Sequence, residues 1–546
     1  MPNHSDTTET GSYTASLPTT CFEPSLTPVS AENRLDVMDI LRGFALFGIL
    51  LMNIEFFNIA LTSLGQFDTS YQGLDWTAGW LIKVFIEGKF YKLFSLLFGM
   101  GFAVMLIRAQ HAGRPFTGWF VRRMLVLFVI GMLHMCFLWG GDILHDYALG
   151  GLLLLGWVLL IRRPKMVRLA QTKWFLRIAL GMMILPAVIA LFAGLYIGAT
   201  HDLNQLRQDW YQRQAVVAIS DKKLQEAKQQ ETAMDNPVVG SHLLDQVNQG
   251  QNEPQPSEEH NEGGPSPVLP QQSTTDDDDT ASGQQIQPVS DAETPLQEKN
   301  EEDMTAEELI EFEADERFNT KLENWREVEL ENKTFTRLDY WAATLYRSQK
   351  ALEMLKYTPM FVLIMGFPLF MLGYWFVASG IINHIERHVV LFTTMTWVGL
   401  SFGLIMSVAG MLIDVHPAAK DAFEIRTAAQ TLFFFGQMVL TAGYLGALVL
   451  LVHKQSTRRY LLWLAPMGRM ALTNYIMHSV ILTSVFYGYA GGLYGEVGRA
   501  WQVAIALGIL FAQALISRWW LSYFRFGPLE WLWRCLTYMQ LHKFRI

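Results

Sequence analysis

The sequence predicts an all-α protein, a polytopic membrane helix bundle of about ten spans with a polar, partly disordered helical insert. Three observations lead there. Of the 546 residues 51% are hydrophobic, and they gather in runs of about 20, the length that crosses a hydrocarbon core at about 1.5 Å per residue. The runs are continuous, rich in Leu, Phe, Met and Gly, and do not alternate at period two, so they read as helices and not barrel strands. Charge is also partitioned. Between Asp202 and Leu345 there are 32 acidic and 11 basic side chains, a surplus of 21 negative charges, whereas the whole chain is only −9 and the remainder therefore +12. One acidic insert hides a basic membrane protein.

Residues 1–33, rich in Ser, Thr and Pro, read as a disordered cytoplasmic tail without the pattern of a cleaved signal peptide. A first bundle follows over 34–199, with spans near 41–63, 90–107, 121–140, 144–161 and 174–198. A second occupies 351–522, with spans near 358–379, 389–412, 428–452, 466–487 and 501–521. The stretch "WLIKVFIEGKFYKLF" is amphipathic and holds Lys83, Glu87, Lys89 and Lys92. It reads either as part of the second span or as a re-entrant or interfacial helix. The insert, 200–350, has charged flanks of helical spacing at 202–235 and 303–350. In "MTAEELIEFEADERF" Thr305 and Glu308 form a capping box. The second flank is expected to run on into the span at 358. The middle, 237–300, with "TTDDDDT", reads as disordered. Its four adjacent carboxylates lack the glycine turn and distal Glu of an EF-hand. The end, 523–546, contains "FGPLEWLWRCLTY", which suits an interfacial helix.

Every second loop is basic. Arg108, Arg114, Arg122 and Arg123 precede the third span. Arg162, Arg163, Lys165, Arg168 and Lys173 precede the fifth, and Lys454, Arg458 and Arg459 the ninth. Residues 64–80 and 141–143 have no Lys or Arg. The positive-inside rule then puts both termini in the cytoplasm and the 200–350 insert outside it.

Ionisable groups within spans are expensive and mark functional sites or buried partnerships. In "RLDVMDILRGFALFGILLMNIEFFN", Asp39 and Arg42 are three apart and share a helix face. Asn53 lies about 16 Å deeper. Arg42 reads equally as an anion ligand and as a positive-inside anchor. In "GMLHMCFLWGGDILHDYALGG", His134 sits near the outer end of the third span, and Asp142, His145 and Asp146 occupy the next turn. Asp142 is placed to cap a helix, and an Asp beside a His also sets the tautomer a general base requires. In "GRMALTNYIMHS", Asn474 and His478 share one face and Arg469 lies at the basic end, where it could hold a phosphate. Gln437, Thr441 and Tyr444 share a face that reads as packing.

Cys21, Cys136 and Cys535 are far apart, with no CxxC or Cys/His metal spacing, so neither a disulfide framework nor a metal site is expected. No nucleotide-binding, zinc-protease or GxSxG motif is present, and nothing points to nucleic acid.

The stretches "LDVMDILRGFALFGILLMNI", "KFYKLFSLLFGMGFA", "GGDILHDYALGGLLLL", "GRMALTNYIMHSVI" and "GPLEWLWRCLTY" resemble, in that order, the YeiB-like bacterial inner-membrane proteins, whose C-terminal half is known as domain of unknown function 418. The long acidic insert departs from that family. Its first half is similar to transmembrane acyltransferases, including the lysosomal heparan-glucosaminide N-acetyltransferase and the acyltransferase-3 enzymes. The shared motif stands here as "MDILRG", Met38 to Gly43. The resemblance implies transfer of an acyl group from cytoplasmic acyl-CoA to a polar acceptor across the membrane. Where the acyltransferase-3 enzymes have a His 11 residues after the Arg, this chain has Asn53.

The leading expectation is therefore acyl transfer. His145 and His134, with Asp142, are the candidate catalytic groups. Arg42, Asp39, Asn53, Lys89, Lys92, Arg469, Asn474 and His478 are the candidate binding groups. Acyl-CoA enters as a co-substrate and no resident cofactor is expected. The alternatives are a transporter or flippase of a small polar or amphiphilic solute, and a non-catalytic scaffold whose insert binds a periplasmic protein. Membrane lipid is a partner in every case.

Overall fold

The computed structural model describes residues 36–63, 70–161, 172–200, 203–234, 304–337, 339–416 and 423–546. The expected tail, the basic residues Arg162 to Arg168, Cys21 and the 237–300 segment with its four aspartates lie outside these. The described residues contain no strand.

The first half consists of α1 (Asp36–Phe56), α2 (Gly73–Leu81), a π-helical turn (Ile82–Ile86), α3 (Lys89–His111), α4 (Thr117–Phe137), α5 (Leu144–Ile161) and α6 (Thr172–Thr200). The insert contributes α7 (Leu203–Met234) and α8 (Ala306–Arg337). Then come α9 (Tyr340–Leu355), α10 (Thr358–Phe361), a second π turn (Val362–Gly366), α11 (Phe367–Ala378), α12 (Val389–Asp414), α13 (Phe423–His453), α14 (Gln455–Leu461), α15 (Leu464–Arg469), α16 (Ala471–Phe486), α17 (Arg499–Tyr523) and α18 (Pro528–Tyr538).

Eight helical stretches among the described residues are long and apolar enough to cross a membrane. Of the other two expected spans, one falls in the 29-residue α6. The other is divided at Met470 into α15 and the 16-residue α16. A carboxylate makes that break: Glu530 of α18 accepts from the Leu472 N–H at 2.7 Å and the Thr473 N–H at 3.0 Å. It satisfies donors that every helix start leaves open.

The chain divides into two compact units, one of the membrane helices before His201 and after Glu327, the other Asp202–Arg326. In the second unit the expected capping box is formed, with the Thr305 N–H donating to Glu308 Oε2 at 2.9 Å and the Glu308 N–H to Thr305 Oγ1 at 3.3 Å. Lys223 bridges α7 to Asp315 of α8 at 2.5 Å. The second flank does not run unbroken into the next span. Asp339 caps a separate helix, α9, by accepting from the Ala342 N–H at 2.8 Å.

The membrane unit has an apolar exterior, and polar groups are buried within its apolar core. On α12, Val390, Trp397, Phe402, Ile405 and Leu412 are exposed, as are Trp501, Phe511, Leu515 and Trp519 on α17. Yet Asp39, Asn53, Lys89, Lys92, His134, Asp142, His145 and Arg499 are buried. A surface that stays apolar over whole helices calls for lipid, and buried charges demand partners. Glu55 of α1 takes Arg499 of α17 at 3.0 Å.

Small residues set the closest approaches. A Cβ on Gly468 would sit 1.8 Å from the Asp39 carbonyl oxygen, and one on Gly43 would sit 2.2 Å from that of Leu464. The backbones of α1 and α15 therefore touch, as glycine allows between membrane helices. The neighbours of these glycines are Arg42 and Arg469, so the same contact brings the two arginines to one place.

Candidate functional site

The turn after α4 folds back on itself. Arg347 of α9, fully buried, donates to the Cys136 and Phe137 carbonyls, both at 3.3 Å, and closes the helix end. Asp142 then starts α5, accepting from the His145 N–H at 3.1 Å. Gly131 makes room, since a Cβ there would stand 2.6 Å from the His145 nitrogen and 2.8 Å from Asp142 Oδ2.

Asp142 thereby lies between two imidazoles. Its Oδ1 is 2.8 Å from His134 Nδ1, and its Oδ2 is 3.1 Å from His145 Nδ1. The outer nitrogens reach hydroxyls on two further helices. His134 Nε2 is 2.7 Å from Ser479 Oγ of α16, and His145 Nε2 is 3.1 Å from Thr358 Oγ1 of α10. His145 Nε2 also lies 3.2 Å from Asp146 Oδ1. Burial would raise the Asp142 carboxyl, but the hydrogen bonds from His134 and His145 outweigh it and hold the group below the usual carboxylate range. An ionised carboxylate only accepts, so each Nδ1 carries the proton; in a neutral His134 ring Nε2 is then the acceptor, whereas His145 Nε2 also faces the Asp146 carboxyl. This tautomer is assigned from the network. At His134 it places a basic nitrogen against a serine hydroxyl.

A cavity of about 180 Å³ approaches this cluster. Arg42, Arg123, Arg469 and Arg534 line it together with the single carboxylate Glu530. Leu46, Leu97, Phe98, Met105 and Leu127 form apolar walls, and Ile143, Leu144, Tyr147 and Tyr475 line it next to the Asp142 turn. The Tyr475 ring is 5.3 Å from that of His134. Along α4, Arg123 and His134 are 11 residues apart, about 16 Å. The cavity thus brings together four guanidinium groups, an apolar shaft and tyrosines that stand before the polar cluster. Arg123 also stacks on Trp533, 3.6 Å from the ring centre. Burial pushes the Glu530 carboxyl up, although the Thr473 hydroxyl and the N–H groups of Leu472 and Thr473 hold it down. Glu530 is engaged in capping α16.

The residues expected to share the site divide. His134, Asp142 and His145 meet, and Arg42 and Arg469 line one cavity, with Asp39 3.4 Å from Arg42. Lys89 and Lys92 lie apart. Lys89 donates to the Lys83 carbonyl at 2.9 Å, and Lys92 donates to Gln437 Oε1. Their ammonium groups sit 4.7 Å from the rings of Phe433 and Phe434. The "WLIKVFIEGKFYKLF" stretch is therefore packed inside the protein against α13, whose Gln437, Thr441 and Tyr444 all bond to it. Asn53 is buried in α1 and does not line the cavity. Asn474 and His478 face away from it, toward α17, with Asn474 donating to Ser517 Oγ at 3.0 Å and His478 Nε2 lying 2.7 Å from Gln513 Oε1.

Sequence reasoning passed over Arg123, Arg534, Thr358 and Ser479. Ser479 had a signal, since Leu472, Tyr475 and Ser479 share a helix face. Arg123 and Arg534 were indistinguishable from membrane-surface anchors.

A helical bundle with an apolar exterior, buried ion pairs and a cavity between its helices is an integral membrane protein. Residues 376–540 match the model of the family described as "Protein of unknown function (DUF418)". The chain is similar to "Uncharacterized protein YxaH" of Bacillus subtilis (strain 168), 28% identical over 94% of this chain and 97% of the relative. It is 39% identical to "Uncharacterized 39.9 kDa protein in amylase 3'region" of Bacillus acidopullulyticus over 23% of this chain and 35% of the relative. It is 44% identical to "Uncharacterized protein YeiB" of Escherichia coli (strain K12) over 14% of this chain and 20% of the relative. These likenesses put it with the YeiB-like proteins, as its motifs lead one to expect. No solved structure matches it. The matched region supplies Arg469, Tyr475, Ser479, Glu530 and Arg534; the N-terminal helices supply Arg42, Arg123, His134, Asp142 and His145.

Proposed function

We propose that the protein transfers an acyl group from cytoplasmic acyl-CoA to a sugar or other polar acceptor on the far side of a bacterial inner membrane. The observation that carries this reading is the cavity lined by four arginines and by Ile143, Leu144 and Tyr475, the residues next to the His134–Asp142–His145 cluster. Guanidinium groups pair bidentately with phosphates, and the apolar shaft suits an acyl chain. The cluster supplies a base for the acceptor hydroxyl or amine. In this reading both termini and the arginine end face the cytoplasm, and the insert faces outward. Acyl-CoA is a co-substrate that comes and goes. Lys89, Lys92, Asn53, Asn474 and His478 hold the helices together and do not touch the donor.

Arg42→Ala and Arg469→Ala are each expected to raise the KM for acetyl-CoA about 10–100-fold, the loss of one charged hydrogen bond, with a smaller change in kcat. Steady-state kinetics of the protein in nanodiscs check this. An unchanged KM in both variants contradicts the donor site. The same cavity also suits a flipped amphiphile with an anionic headgroup. That second reading predicts transbilayer movement in vesicles without thioester cleavage.

A further inference from the structure

Acyl transfer can run in one step or through the enzyme, and Ser479 bears on which. Its hydroxyl lies 2.7 Å from His134 Nε2, and His134 Nδ1 lies 2.8 Å from Asp142 Oδ1. All three side chains are buried. Ser479, on α16, is remote in sequence from His134 and Asp142, so local spacing does not bring the hydroxyl to the imidazole. The order of hydroxyl, imidazole and carboxylate, with the proton fixed on Nδ1, is the arrangement that activates a serine for attack. The hydroxyl also stands near the cavity. Tyr475, one turn before Ser479 on the same helix face, lines the cavity and touches the His134 ring.

We propose that Ser479 is a nucleophile that carries the acyl group as an ester between donor and acceptor. His134 Nε2 takes the Ser479 proton while Oγ bonds to the thioester carbonyl carbon. The carbon–sulfur bond then breaks, and CoA leaves as the thiol with the proton from His134. In the second half the acceptor hydroxyl attacks the seryl ester, its proton passes to His134 Nε2, and His134 returns that proton to Ser479 Oγ as the carbon–oxygen bond breaks and the acylated product departs. One Asp142 serves two imidazoles: it holds the Nδ1 proton of His134, which handles the serine, and it bonds His145, whose Nε2 meets Thr358 and Asp146. The inference deepens the acyl-transfer reading and rests on it for the donor.

The test uses the full chain in nanodiscs and two probes. The first is acetyl-CoA labelled in the acetyl group, followed by peptide mapping and hydroxylamine treatment. The second is an alkyl fluorophosphonate, which reports an activated serine whatever the natural donor is. The expected result is a hydroxylamine-sensitive acetyl adduct and fluorophosphonate labelling at Ser479. Both should be lost in Ser479→Ala, and labelling should be slowed about 10²–10⁴-fold in His134→Asn. Thermal melting and gel filtration of each variant establish that it is folded. Acetyl transfer that persists in Ser479→Ala, or an adduct mapped elsewhere, overturns the proposal and leaves the acyl-transfer reading standing. Fluorophosphonate labelling of Ser479 without consumption of acetyl-CoA supports the serine and overturns the donor. Absence of both labels in folded wild-type protein overturns the nucleophile.

Discussion

Asp142→Asn is expected to lower kcat for acyl transfer about 10²–10⁴-fold while the protein still assembles. Asp142 holds the Nδ1 protons of two imidazoles and caps α5 through the His145 N–H. An asparagine keeps the size of the side chain but offers an NH2 where one carboxylate oxygen stood. Whichever histidine faces that NH2 must switch tautomer and present a proton, not a lone pair, to its hydroxyl partner. General-base action is lost with little change in shape. Asp142→Ala goes further, because the cap and both charge-assisted bonds disappear, and it should also cost about 2–4 kcal/mol of stability. The acid side of the stability profile gives a separate readout. The folded carboxyl is held below its ordinary range, so its contribution is present above the unfolded value near about 3.9 and vanishes as pH falls through the folded value. Asp142→Asn should flatten that limb. Full kcat in Asp142→Asn would remove the cluster from the chemistry.

Gly468→Val should do the largest structural damage for the smallest change in composition. Even the first added carbon would stand 1.8 Å from the Asp39 carbonyl oxygen, a backbone atom that cannot swing aside. To relieve it, α1 and α15 must separate, and Arg42 and Arg469 separate with them. The expected result is loss of more than about 3 kcal/mol of stability or failure to assemble, and no retained affinity for acetyl-CoA. Gly156→Ala is the control. It lies in α5 with nothing within 4 Å of an added Cβ, and an alanine in a helix should be neutral or stabilising by up to about 1 kcal/mol. Thermal melting in detergent distinguishes the two. A Gly468→Val protein that melts like the wild type would mean the helices are not locked at this contact.

Much of the fold could be read from the chain because lipid imposes length and apolarity on every crossing helix, and those are one-dimensional properties. The division at Met470 could not, since the carboxylate that caps α16 comes from Glu530, which is remote in sequence. Nor could the burial of Lys89 and Lys92. Amphipathic spacing cannot tell an interfacial lysine from one that rests on Phe433 and Phe434. The pairing of Asp142 with His145 was visible as an i, i+3 cap. Its pairing with His134 was within reach, eight residues away across one turn. The partners Ser479 and Thr358 were not, because a single hydroxyl in an apolar run carries no local mark. The same is true of Arg123 and Arg534, where the positive-inside rule accounts for the charge before any ligand is needed.

The most direct test of the account is a structure of the full chain in nanodiscs with saturating acetyl-CoA. Density for the CoA phosphates is expected among Arg42, Arg123, Arg469 and Arg534. The thioester should lie in the shaft, directed past Tyr475 toward His134 and Ser479. A cavity filled only by lipid under those conditions, with no CoA density at the arginines, would contradict it.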